Sequence, residues 1–186
     1  IHQTKIMRNE YDVVVMNPPY MGSSGMNKIL GDFLKKNYKD VKADLFAAFM
    51  ELDFYLKVNG LYAAINQHSW MFLSSFEKLR EKIIISKQID SMLHLGPRAF
   101  EDINGEVVQS TVFVLRFAQI NNLNGKYMKL TEYNHTEEKR LKFLQILNSE
   151  YHENSYSYDQ DEYKLIPGRP IAYWIGKEIR DIFVNC

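Results

Sequence analysis

Residues 11–16, Tyr11-Asp12-Val13-Val14-Val15-Met16, form a short β-branched run without polar alternation. Asn17-Pro18-Pro19 ends it, because proline donates no N–H to a ladder and restricts the residue before it. A buried parallel strand reads this way. A second short apolar strand follows at residues 61–65 and a third at residues 89–95, which Gly96-Pro97 ends. A fourth spans residues 107–117, with Val108, Ser110, Val112, Val114 and Arg116 on one face. Helical patterns separate the first three. Residues 44–57 are apolar almost all round, with Asp44 as the cap and Asn59-Gly60 as the stop. Ser75 can cap a second helix reaching Lys87, with Phe76, Leu79, Ile83 and Ile84 inward. Strand, helix, strand, helix, strand, strand predicts an α/β layered sheet finishing in an antiparallel pair. The first two strands should be parallel, with residues 107–117 antiparallel at the end of the sheet.

The stretch from 21 to 42 reads as an excursion with one short helical turn. Beyond Asn121-Asn122-Leu123-Asn124-Gly125 the pattern changes, and the chain divides into residues 1–120 and a smaller α+β extension over 121–186. Within the extension, residues 126–133 suit a strand and residues 137–148 a helix. Residues 150–162 carry five acids and no Lys or Arg, the composition of a solvated loop. Pro170 suits a first helical position, placing Ile171, Trp174, Ile175, Ile179, Ile182 and Phe183 on one face. About 65 residues make a small core, so the extension should lean on the sheet.

Lys plus Arg and Asp plus Glu are 23 each, so no global field holds nucleic acid or a membrane. No apolar run reaches the ~18 residues of a membrane span. The one cysteine, Cys186, makes neither an intrachain disulfide nor a zinc site by itself. These features fit a cytoplasmic protein without a metal. The chain opens at Ile1 and stops at Phe183-Val184-Asn185-Cys186, inside a helical pattern, so we expect a fragment of something longer.

Asn17-Pro18-Pro19-Tyr20 sits at the C-terminal end of the first strand, where open α/β sheets place their ligands. The plain alternative is a turn, since Asn and Pro are turn residues. Chance would place an Asn/Asp/Ser-Pro-Pro-aromatic tetrapeptide in about one chain in a hundred of this length. A preceding buried strand makes it rarer.

Residues 12–20 resemble the catalytic motif of S-adenosylmethionine-dependent amino-group methyltransferases, chiefly DNA adenine-N6 enzymes. Residues 42–49 resemble the helix after that motif, and Ala99-Phe100 the loop before the last hairpin. The closer resemblance is to the large methyltransferases of BREX phage-defence systems, the PglX-like family. Residues 21–26, 67–72, 105–109 and 166–174 carry it. The resemblance implies the C-terminal half of a Rossmann-like methyltransferase sheet ending in an antiparallel hairpin. It also implies a double-stranded DNA substrate with a flipped adenine, and other defence-system proteins as partners of the intact protein.

The chemistry suits these residue types. An adenine amino nitrogen is a poor nucleophile because its lone pair is delocalised into the ring. Two acceptors aimed at its hydrogens, the Asn17 side-chain oxygen and the Pro18 carbonyl, favour a pyramidal nitrogen and stabilise the charge that develops. A flipped base needs an aromatic ring to replace lost stacking, and Tyr20 is the obvious platform. By the family match, Phe100 packs near the base from another side; otherwise it is a core aromatic. Asn17 and Asp44 are the cofactor-pocket candidates, although Asp44 is equally suited to a plain helix cap. His68 and Trp70 read as loop packing. Residues 28–42 carry five lysines against Asp32 and Asp40, a local net of +3. Lys35, Lys36 and Lys39 there are candidate phosphate contacts, and a solvated lysine face is the ordinary explanation.

The family's glycine-rich cofactor motif precedes the tetrapeptide, and residues 1–10 contain no glycine. The isolated chain is therefore expected to be inactive and to bind S-adenosylmethionine weakly. It should hide the edge of its first strand by forming a homodimer or by pairing with its own N-terminal residues. Competing readings keep the tetrapeptide but methylate RNA adenine or a protein glutamine, or make the chain an idle DNA-binding or assembly module.

Overall fold

The computed structural model describes residues 2–6, 8–100, 108–120, 122–149 and 152–184. Gly105, Glu106 and Val107, assigned above to the resemblance and to the fourth strand, lie outside them, as do Glu150, Asn185 and Cys186. Six strands make one sheet: β1 (Tyr11–Met16), β2 (Leu56–Gln67), β3 (Gln88–Gly96), β4 (Ser110–Arg116), β5 (Asn124–Lys129) and β6 (Ser155–Asp159). Their order is β1-β2-β4-β3-β5-β6. The pair β1–β2 is parallel, as expected, and so is β3–β5; β4 runs antiparallel to both β2 and β3, and β6 to β5. Thus β4 is inserted between β2 and β3 instead of ending the sheet. Its apolar sequence explains the position, since Phe113 and Leu115 are buried in the core between two paired neighbours. The extension joins the same sheet through β5.

Six helices accompany the strands: α1 (His2–Ile6), α2 (Lys28–Asn37), α3 (Leu45–Phe49), α4 (Glu77–Ser86), α5 (Thr136–Leu147) and α6 (Lys177–Val184). Where one helical turn was expected after the tetrapeptide, α2 runs ten residues, started by the Asn27 side chain accepting from Leu30 N–H at 2.9 Å. The helix expected over 44–57 is shorter. Asp44 does cap α3, but the chain turns after Phe49 and Leu56 is already in β2. Buried Lys87 fastens that turn, donating to Asp53 at 2.7 Å and to the Met50 carbonyl, with Nζ 4.3 Å from the Phe117 ring centroid. Asn59-Gly60 is therefore no helix stop. It is an irregularity inside β2, where the register passes from Tyr11↔Leu56 to Val13↔Leu61. Asn59 has φ 65° there, and a Cβ on Gly60 would lie 2.8 Å from the Lys57 carbonyl oxygen.

Ser75 does not cap α4. It lies in a 3-10 turn, and the cap position is Phe76, which makes no side-chain bond. The acidic stretch is β6 and a 3-10 turn rather than a loop. Tyr156 and Tyr158 alternate with serines, a period of two that outweighs the acids. Pro170 starts no helix. Residues 171–173 run into the core instead: Ile171 N–H donates to Met71 O at 2.9 Å, and Tyr173 stacks on Tyr127 at 4.6 Å. Helix begins only at Lys177.

The core lies on one face of the sheet, where Phe46, Trp70, Phe76, Leu79 and Ile83 meet Tyr62, Met92 and Phe113. On β1, Val14 and Met16 pack against this core while Val13 and Val15 stay 53% and 74% exposed. β1 is thus a strand at the sheet edge with one face open, not one buried on both. Residues 2–6 are helical and do not pair with it; Tyr11 OH donates to Ile6 O at 2.8 Å.

Two buried polar devices fasten residues 166–174 to the loop after β2. The Arg80 guanidinium donates to the carbonyls of Gly168, Arg169, Trp70 and Leu73 at 2.7–3.1 Å. His68 Nδ1 lies 2.9 Å from His94 Nε2, and His94 Nδ1 lies 3.2 Å from the Tyr173 hydroxyl. This chain of bonds is complete with both rings neutral. Burial pushes His94 down to about 3, and the charges of His68, Lys129 and Lys139 add to the shift.

Arg80→Met would orphan several buried carbonyls and should cost about 3 kcal/mol or more, read as a lower urea midpoint at unchanged m. The histidine predicts a pH dependence. The unfolded chain binds a proton at His94 near pH 6.5 and the folded one only near pH 3. Stability present above pH 6.5 is therefore lost as the pH falls, by up to about 1.4 kcal/mol per pH unit. Urea midpoints between about pH 7.5 and 4.5 should show this slope and should flatten in His94→Gln.

Candidate active site

The parallel ladder of β1 and β2 ends at Met16↔Ala64, and the two prolines carry the chain off the sheet at once. In the turn that results, Asn17 and Pro19 are exposed, Pro18 is buried and Tyr20 is half-buried. Neither the Asn17 side chain nor the Pro18 carbonyl is hydrogen-bonded among the described residues. Both acceptors are thus available to a ligand.

Tyr20 is held at both ends. Its hydroxyl donates to Ile65 O on β2 at 3.2 Å, and its ring meets Phe46 of α3 edge-on, centroids 6.0 Å apart at 75°. Burial pushes the phenol up, the nearby Asp44 carboxylate adds to this, and the Ser110 hydroxyl opposes it. The hydroxyl stays a neutral donor and one ring orientation is fixed.

Asp44 joins the turn to the helix behind it. Its Oδ1 accepts from Met21 N–H at 2.9 Å and, more weakly, from Phe46 N–H at 3.4 Å. Around it, Ser23 N–H donates to Ala43 O and Leu45 N–H to Met21 O, both at 3.0 Å. Asp44 is therefore a cap and a brace for the segment after the tetrapeptide, which leaves Oδ2 as its free ligand atom.

The other candidates stand farther off. Phe100, 39% exposed, follows the end of β3. With β2 and β4 between, the ends of β1 and β3 are three inter-strand steps apart, about 14 Å, and no ring contact joins Phe100 to Tyr20 among the described residues. Lys35 and Lys36 lie exposed in the last turn of α2, where a helix terminus favours cations by itself. No ion pair engages either of them among the described residues. Lys39 borders an open cavity shared with Asp40, Glu77 and Glu81, a poor setting for a phosphate. Asp40 itself pairs with Lys78 and Lys82 at 3.3 Å.

Sequence reasoning gave no role to Asn66, which follows Ile65 on β2. It is fully buried, and neither side-chain amide atom has a partner among the described residues. The one available signal was a polar residue ending an otherwise apolar strand. Among the described residues, no group of three or more His, Cys, Asp or Glu could hold a metal ion, and no helix is long and apolar enough to cross a membrane.

The residues present fit one end of an S-adenosylmethionine site: free acceptors at Asn17 and Pro18, a fixed aromatic ring, and the Asp44 carboxylate. Comparisons with known proteins agree. The chain is 45% identical over 175 residues to "Adenine-specific methyltransferase PglX" of Lacticaseibacillus casei (strain Zhang), covering 94% of this chain and 14% of the relative. It is 46% identical over 179 residues to "Adenine-specific methyltransferase BrxX" of Escherichia coli O9:H4 (strain HS), again covering 94% and 14%. The chain thus spans about one-seventh of the length of these curated relatives. Among solved structures, the type I restriction-modification methyltransferase subunit of Streptococcus thermophilus superposes with TM-score 0.54 at 19% identity, over 87% of this chain and 37% of that one. DrdV, solved as a complex with DNA, superposes with TM-score 0.59 at 17% identity, over 89% and 18%. These two likenesses are ones of fold. The Eco57I restriction-modification methylase family matches residues 1–100, just over half of the chain, and to that family the chain belongs.

Proposed function

We propose that the intact protein transfers a methyl group to the N6 amino group of adenine in duplex DNA, within a BREX-type phage-restriction system. The observation that carries this reading is the pair of free acceptors, Asn17 Oδ1 and Pro18 O, beside a Tyr20 ring fixed by Ile65 and Phe46. S-adenosylmethionine supplies the methyl group on a sulfonium sulfur that leaves with the bonding electron pair.

The chain's residues do the rest. The Asn17 and Pro18 oxygens accept the two amino hydrogens, turn the nitrogen lone pair away from the ring and stabilise its growing positive charge. They are set in place by the prolines before the reaction, so alignment takes little reorganisation. The surplus proton leaves to water after transfer. Tyr20 receives the flipped base on its face, and Phe100 closes from the β3 side. Lys35 and Lys36 are better placed than Lys39 to hold backbone phosphates. Asn17 and the free Asp44 oxygen are the cofactor contacts contributed by these residues. The main cradle of the methyl donor is expected from chain outside them. The reaction places the intact protein in the cytoplasm, alongside other defence-system components.

Asn17→Ala in the intact protein should slow single-turnover methyl transfer by about 10²–10³, or ~2.7–4 kcal/mol, as loss of one preorganised polar contact does elsewhere. Tyr20→Ala should impair base capture, whereas Tyr20→Phe keeps the π-face and should be mild. A wild-type rate in Asn17→Ala would remove the assigned role. For the 186-residue chain alone, calorimetry should show weak or no binding of S-adenosylmethionine, and light scattering should show a homodimer formed through the β1 edge.

A further inference from the structure

Lys139 of α5 is 3% exposed, yet no carboxylate holds its ammonium among the described residues. Nζ donates instead to two carbonyl oxygens, Leu95 at 2.5 Å and Leu130 at 2.8 Å. These sit at the C-terminal ends of the parallel neighbours β3 and β5, with Leu130 N–H bonded to His94 O at 2.8 Å. Burying a cation against carbonyl dipoles alone is costly. A methionine would fill the same volume without that cost, so the ammonium is there for what it holds.

What it holds is the start of the segment bearing Phe100. Leu95 O is the last carbonyl before Gly96, whose φ of +68° and approach to Thr131 Cα (2.9 Å from a would-be Cβ) exclude any side chain. Pro97 follows with no N–H to offer, then Arg98 at φ 56°. No backbone–backbone hydrogen bond fixes residues 97–100 among the described residues. The segment's other anchor comes from α5 as well: Thr136 Oγ1 donates to Arg98 O at a long 3.5 Å. Beneath it, Ala99 lies over an open cavity of about 170 Å³ lined by Leu93, Leu95, Leu130, Thr136 and Phe143. Packing from below is therefore thin, and the polar contacts from α5 set the course of the segment.

We infer that Lys139 is a positioning residue for the target base: by holding the Leu95 and Leu130 carbonyls it sets where the Phe100 ring stands. The inference rests on the proposed role of Phe100 as the second wall of the base site, and it adds α5 to the substrate-binding machinery. Lys139 itself does not touch the base.

The test is a double-mutant cycle in the intact protein, reading kcat/KM for DNA methylation. Phe100→Ala should lose about 5–150-fold, the loss of one stacked base. Lys139→Met should lose about tenfold if the ring is released from its place. The double variant should be no worse than Phe100→Ala, because Lys139 acts only through that ring. Binding of S-adenosylmethionine, by calorimetry, should be unchanged in Lys139→Met. If Lys139→Met lowers the melting temperature, Lys139→Gln, which keeps a polar tip, is read in its place. A wild-type rate in the lysine variant, or losses that multiply in the double variant, would overturn the inference while leaving the Phe100 role intact. A wild-type rate in Phe100→Ala would instead remove the Phe100 role, and the inference with it.

Discussion

The site depends on where the parallel ladder of β1 and β2 stops. After Met16↔Ala64 the prolines forbid further pairing. The acceptors of Asn17 and Pro18 are left unpaired for that reason, in a turn that needs no movement to present them. The neighbouring strand runs on past that point to Gln67. It supplies the Ile65 carbonyl that fixes Tyr20, and it places Asn66 alongside. A ladder one residue longer would consume the acceptors, and one residue shorter would separate Tyr20 from its anchor.

A second theme is the buried polar group spent on carbonyls. Arg80 holds the turn around Gly168, Lys87 the bend after α3, Lys139 the ends of β3 and β5, and the His68–His94 pair reaches Tyr173. Each ties an irregular segment to the sheet where no regular ladder can satisfy the backbone. These segments border the C-terminal edge, where the proposed reaction takes place. The arrangement gives a rigid floor beneath loops whose own hydrogen bonding is sparse.

The strands were legible because each is a short β-branched or aromatic run bounded by Gly, Pro or Asn, and the tetrapeptide was legible because two prolines in that setting are rare. Other features depend on partners distant in sequence. β4 lies inside the sheet because its neighbours on both sides take its backbone, which no local pattern records. The 44–57 helix stops early because Lys87, more than thirty residues on, takes the Met50 carbonyl and Asp53. Residues 171–173 resemble a helical stripe but serve the core as single inserted side chains. The same limit applies to the site. Asn17, Tyr20 and Asp44 stand together as their proximity in sequence suggests, whereas Lys139 and Asn66 gain meaning only from the carbonyls and strand ends that the fold brings to them.

The most direct test of the account is the identity of the methyl acceptor. The intact protein would be incubated with S-adenosylmethionine carrying a deuterated methyl group, together with duplex DNA, RNA and cell protein. Nucleosides and peptides would then be analysed by mass spectrometry. The account predicts label on the N6 nitrogen of deoxyadenosine, lost when Asn17 is replaced by alanine. Label confined to RNA adenosine, to cytosine or to a glutamine amide would contradict it.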